Sequence, residues 1–310
     1  MKKSRSEAAR LFMRSTILLL VFTLIWTTAL FSELPEKDTS RIKERKLRDK
    51  YLSTGSGLSW MKSRDGATSP LLYRGLTLPF SVGYIVHSEK IIKTFETDFS
   101  YGMLKTRTET PWYDPVNESY YLALRGNLLY RIKSVFGNRA HLYAGPELNL
   151  NGHFRVNYKY GNSAFTFDSH SGIGIATRLE YPFGYKKKEF KILGIKFRRR
   201  DRDLRLSWQL SMPLVSMAVR PSYVTISHFI APELRTKLTR DLITFGFLSP
   251  VNIRSQTELY YILHNNNVLR LTYLWNFTHF NPDYNKIQSA FHAIVFSFVF
   301  KFNPDRKNDQ

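Results

Sequence analysis

Phe291-His292-Ala293-Ile294-Val295-Phe296-Ser297-Phe298-Val299-Phe300-Lys301-Phe302 is the stretch on which the fold turns. His292, Ile294, Phe296, Phe298, Phe300 and Phe302 fall on one face. Ala293, Val295, Ser297, Val299 and Lys301 fall on the other. Successive side chains of a strand point to opposite faces, so this period of two specifies a β-strand. Four phenylalanines in register on one face would be an aggregation hazard in water. Against hydrocarbon the same face is favourable.

Upstream, from Leu71 on, the period repeats almost without pause. Leu72, Leu76, Leu78, Phe80, Val82 and Tyr84 oppose Gly75, Thr77, Pro79, Ser81 and Gly83. Phe95, Phe99, Tyr101 and Met103 oppose Thr94, Glu96, Asp98 and Ser100. Tyr120, Leu122, Leu124, Leu128 and Tyr130 oppose Ala123, Arg125, Asn127 and Arg131. The same alternation continues through 142–151, 172–181, 204–212, 254–263 and 269–278. A proline weakens a ladder, so Pro79 predicts a bulge or kink. A soluble sandwich also alternates, but its polar face meets bulk water and favours long Lys and Glu. Here that face is rich in Gly, Ser, Thr, Asn and Gln with scattered Arg and Glu, which suits a confined wet lumen. The pattern predicts an all-β fold, an antiparallel transmembrane β-barrel over residues 51–302.

The last strand resembles the C-terminal assembly signal of bacterial outer-membrane β-barrels, an amphipathic strand ending in an aromatic. Phe296, Phe298, Phe300 and Phe302 carry the likeness. The family usually stops at that aromatic, whereas a polar tail, 303–310, follows here. The resemblance implies residence in the outer membrane, with outer-membrane lipids, lipopolysaccharide and the assembly machinery as partners.

Barrels of this kind have short turns at one end and longer loops at the other. Ser88-Glu89-Lys90, Phe136-Gly137-Asn138 and His264–Asn267 read as short turns, and 107–117, 155–164 and 280–286 as longer links. Parity puts both termini and the basic connection 186–202 in the periplasm, near anionic headgroups. It predicts about twelve strands, near 51–62, 70–87, 91–106, 118–134, 139–154, 164–181, 203–216, 222–230, 240–249, 252–263, 268–280 and 288–302. Ten or fourteen are the alternatives, because 217–251 is weakly patterned.

At the other end of the chain, Lys2, Lys3, Arg5, Arg10 and Arg14 stand against Glu7, and an apolar run, Thr16–Phe31, follows. Basic head and apolar core, with a small residue before a polar break, predict a signal peptide over 1–32. The run is short of the roughly 20 residues of a spanning helix. Residues 33–50 read as a charged periplasmic lead-in. The formal charge is +21, of which about +17 lies beyond residue 32. For an exported chain this favours lipid phosphates or anionic solutes over nucleic acid. There are no cysteines. A barrel needs none, because its ladder closes on itself.

No phosphate loop, zinc spacing or dinucleotide fingerprint is present, so neither cofactor nor metal is expected. Among outer-membrane barrels of twelve strands is a phospholipase A whose nucleophilic serine lies two residues after its histidine, on one strand face. None of the eight histidines here has a serine at that spacing, and there is no Gly-x-Ser-x-Gly elbow. Asp168 and His170 share a face, as do Glu96 and Asp98, but lumen hydrogen bonding accounts for both pairs. No catalytic residue is assigned. Alternation sends Arg125, Arg131, Arg178, Arg205, Arg254 and Arg270 inward, with Glu96, Asp98, Glu147, Glu180 and Glu258. Fully paired, these charges knit the barrel shut. With arginines left over, they form an anion-attracting constriction. The leading expectation is a pore for small solutes, anionic ones included. The alternatives are a plugged structural or assembly barrel with binding loops, and a lipid-modifying enzyme. The oligomeric state is left open.

Overall fold

The computed structural model describes residues 49–66, 69–107, 115–137, 139–159, 165–185, 188–192, 195–199, 201–220, 243–281 and 286–302. The expected signal peptide 1–32, nearly all of the lead-in 33–50 and the tail 303–310 lie outside these residues. The strands are β1 (Asp49–Asp65), β2 (Ser69–His87), β3 (Ile91–Lys105), β4 (Val116–Val135), β5 (Ala140–Val156) and β6 (Phe165–Tyr185). A separate hairpin follows, β7 (Lys188–Ile192) with β8 (Ile195–Arg199). Then come β9 (Arg202–Val219), β10 (Ile243–Phe247), β11 (Val251–Ile262), β12 (Val268–Phe280) and β13 (Ile287–Lys301).

Ten strands close into one antiparallel ring, in the order β1-β2-β3-β4-β5-β6-β9-β11-β12-β13. The seam is the pairing of β13 with β1, which runs from Tyr51↔Lys301 to Asp65↔Ile287. Closure removes the free edge that an open sheet would leave unpaired. At the seam the two backbones come so close that a Cβ on Gly57 would lie 1.9 Å from the Ile294 carbonyl oxygen. Only glycine fits there.

The expectation of twelve strands is corrected to ten. The strand expected at 222–230 lies outside the described residues. The one expected at 240–249 is β10, which stands outside the ring. β9 is paired with β6 along the whole length of β9, so β10 and β11 share its other edge. Their registers are offset by three residues, absorbed at Leu248–Pro250, where Leu248 has a φ of 54°. The bulge expected at Pro79 is also absent. The β1–β2 ladder skips from Ser56↔Phe80 to Ser59↔Thr77 and resumes in unchanged register. Proline removes a ladder donor, but a one-residue slip would turn every later side chain to the wrong face.

The first strand begins and the last strand ends at one rim, here the terminal rim. The short turns at 88–90, 136–139 and 263–267 and the β7–β8 hairpin share it by connectivity. At Phe136-Gly137 both φ values are positive, 53° and 63°, the conformation that lets a tight turn follow strand twist. The opposite, far rim carries the links at 106–115, 157–164, 220–242 and 281–286.

Outside, the wall is an apolar belt. Leu58, Leu76, Leu78, Ile132, Ile173, Ile294 and the phenylalanines 296, 298, 300 and 302 are all exposed. Inside, at the terminal rim, Ile92, Leu129, Tyr143 and Ala176 pack together, as do Ile85, Tyr260, Val268 and Val299. Towards the far rim, Met61, Tyr73 and Leu104 form one cluster and Ala218, Phe280 and Ile287 another. Between these ends the interior is mostly polar and charged, with one further apolar cluster, Leu274, Ala293 and Val295, on β12 and β13.

Candidate functional site: the charged lumen

Small inward residues on one arc make room for long ones on the other. Ser53, Gly55, Gly57 and Ser59 on β1 face inward beside Thr77, Ser81 and Gly83 on β2. Arginines on β4, β6, β9, β11 and β12 reach towards this space, and carboxylates meet them.

Nearer the terminal rim the network centres on Glu258, which is 1% exposed. Arg178 Nη1 lies 2.9 Å from Glu258 Oε2, and Arg178 Nε donates to Glu180 Oε1 at 2.9 Å. Tyr260 donates to Glu258 Oε2 at 2.7 Å while accepting Arg178 Nη2 at 3.0 Å. Arg270 Nη1 donates both to Glu258 Oε1, at 3.1 Å, and to Glu96 Oε1, at 3.0 Å. Arg205 Nη1 lies 2.8 Å from His87 Nε2 and 3.8 Å from Glu180 Oε2.

At mid-height Arg125 pairs with Asp98. Arg254, from β11, reaches Asp98 at 3.5 Å and Glu96 at 3.9 Å on β3. Those strands are five places apart in a ring of ten, so this contact spans the diameter. The β9–β2 contact of Arg205 with His87 does the same. Two internal spaces of about 630 Å³ each, part of it open to solvent, lie on either side. Glu96, Gln256 and Arg270 line both and form the partition between them.

In a third layer, towards the far rim, only Asp168 and His170 had been singled out from the sequence. Arg155 Nη2 lies 2.8 Å from Asp65 Oδ2 across the lumen and also pairs with Asp168, while Arg220 pairs with Asp65. His170 Nε2 stands 2.9 Å from Asp168 Oδ2. Ser119 Oγ is 2.8 Å from His153 Nε2, and Arg155 Nη1 is 2.9 Å from His153 Nδ1. The guanidinium can only donate, so Nδ1 is the acceptor. Nε2 then carries the proton and donates to Ser119. In that tautomer His153 cannot take the serine's proton, so the pair is no nucleophile–base dyad. Both residues are buried. Among the described residues no group of three His, Asp or Glu side chains is placed to hold a metal ion.

The arginines and carboxylates named from sequence therefore meet unequally. Arg125, Arg178, Arg205, Arg254 and Arg270 join Glu96, Asp98, Glu180 and Glu258 in the two layers just described. Arg131 sits at the terminal rim instead, donating to Glu89 at 2.7 Å and to Ser134 at 2.6 Å. Glu147 is buried on β5 with no ion pair among the described residues. With Asp65, Asp168, Arg155 and Arg220 added, the described residues place seven carboxylates, Glu147 among them, and seven guanidiniums in the body of the lumen, and each of these guanidiniums has a carboxylate within 4 Å.

No protein-family model matches the sequence, and no curated protein matches it. Among solved structures, the neighbours are bacterial outer-membrane β-barrels. The outer membrane protease OmpT from Escherichia coli is 8% identical, over 82% of this chain and 97% of that one, with a TM-score of 0.47. The transport unit of the autotransporter AIDA-I, also from Escherichia coli, is 10% identical over 88% and 94%, at 0.41. Neisserial surface protein A is 10% identical over 81% and 97%, at 0.30. The structure itself defines the class: a closed antiparallel barrel, apolar outside and charged within.

Proposed function

We propose that the protein is an integral outer-membrane barrel, termini in the periplasm, whose lumen is a closed ion-paired core. On this reading it is a structural or assembly barrel that acts through its rims and outer face. The carrying observation is the set of contacts across the lumen, above all Arg254 and Arg270 on Glu96 and Asp98. An open passage would have its wall charges solvated and separate. Here they meet from opposite strands, and among the described residues the balanced charge leaves no surplus of lumen arginine to draw anions. The apolar clusters inside both ends add to the same reading. The exposed belt supports the membrane, since an apolar surface of that extent is unstable in water. The phenylalanine face of β13 supports recognition by the assembly machinery.

The test is solute flux. Proteoliposomes holding the purified barrel should swell in small neutral and anionic solutes no faster than protein-free vesicles. Faster swelling with anions would restore the pore. Location has its own check: the protein should resist carbonate extraction and migrate differently on gels before and after boiling.

A further inference from the structure

We propose that the outward face of β1–β3 at the far rim binds the phosphates of a multiply phosphorylated lipid headgroup. This rests on the membrane reading above, not on the closed lumen. Lys62 pairs in register with Arg74, and Arg74 with Lys105. All three side chains lie on the outward face and are exposed. Arg64 and Arg107 extend the patch beyond them, also exposed. None of the five makes an ion pair with the described residues. The outward carboxylate on β4, Glu118, is instead engaged by the Tyr120 hydroxyl at 3.0 Å.

Like charges directly opposite on a ladder repel. A row of three is stabilised by an anion lying across it. The row spans two interstrand spacings, about 10 Å, more than one phosphate covers.

Its height fits the same ligand. Trp60 and its partner Leu76 lie one outward step below Lys62 and Arg74 on the belt side, and Leu72 one step beyond Arg74 towards the far rim. Lys50 and Lys62 bound the outward face of β1, and Lys93 and Lys105 that of β3, twelve residues apart in each case. At about 3.3 Å per residue and a tilt near 40°, that is about 30 Å along the membrane normal, which puts these lysines at headgroup level. The terminal rim differs. There Val86 stands between Lys50 and Lys93 in the ladder, so no row forms.

The barrel is reconstituted in phosphatidylcholine vesicles doped with bisphosphorylated lipid A, or with phosphatidylglycerol at equal charge. It is then re-extracted, and bound lipid is counted by mass spectrometry. Lipid A should remain bound and phosphatidylglycerol should not. Each surface cation contributes about fivefold, so K62Q/R74Q/K105Q should cut lipid A retention about a hundredfold. K50Q/K93Q should leave it unchanged. Undiminished retention by the triple variant, or equal retention of phosphatidylglycerol, would overturn the proposal. Boiling-dependent migration shows that each variant is folded. A barrel that conducts solutes yet holds lipid A through this row would break the closed-lumen reading and leave this one standing.

Discussion

Two groups of cations in this barrel differ completely in their surroundings. The seven lumen arginines each lie within 4 Å of a carboxylate, and most are almost wholly buried. The far-rim row of Lys62, Arg74 and Lys105 is exposed and has no ion pair among the described residues. The same side-chain chemistry is therefore spent on cohesion in one place and left available in the other. Burial sets the energetic scale. Removing one partner of a buried pair strands the other charge at a cost of several kcal/mol, whereas exposed pairs contribute little.

Glu258→Ala should have the largest effect on stability. It leaves Arg178 and Arg270 short of a shared partner, and should cost about 3–5 kcal/mol, read from urea unfolding in detergent or lipid. If the loss is under about 1 kcal/mol, the interior is hydrated and the contrast with the surface collapses. Replacing Arg178 and Glu258 together by methionine should cost less than Glu258→Ala alone, because no stranded charge remains. A double variant worse than the single one would show that the network beyond this pair matters more than the pair. Arg131→Ala comes next. Its partner Glu89 is 82% exposed, so the change should cost at most about 1 kcal/mol. The smallest effect belongs to K62Q/R74Q/K105Q, which should shift stability by less than about 0.5 kcal/mol in lipid-free detergent. A large loss there would mean that the row is structural.

Much of the fold was legible because alternation is a property of the chain itself. The face of β13 from His292 to Phe302 needed no partner to be read. Strand number was less legible. Residues 222–230 and 240–249 resemble a weak hairpin in sequence, but β10 and β11 share one edge of β9, which only register reveals. Apart from Asp168 and His170, the far layer of the lumen was missed for a local reason. Strands were expected to stop at 62 and 154, yet the inward series runs on through Ser63 and Asp65, and through His153 and Arg155. Following the period three residues further on β1 and one on β5 would have found Asp65 and Arg155. Arg220 was out of reach, because the β6–β9 register shifts opposite Ile173–Gly174 and the inward face of β9 changes parity there. The inward apolar residues at the ends, such as Ile92 and Leu129, break the polar pattern and were passed over. Pairing across the lumen lies beyond any reading of alternation, since it depends on shear and tilt.

Single-channel recording in a planar bilayer tests the closed lumen most directly. The intact barrel should show no current steps at moderate voltage. A variant with the partition removed, E96G/R270G, should show them if it still folds by the boiling test. Steps from the unaltered protein, with an amplitude that E96G/R270G leaves unchanged, would contradict the account.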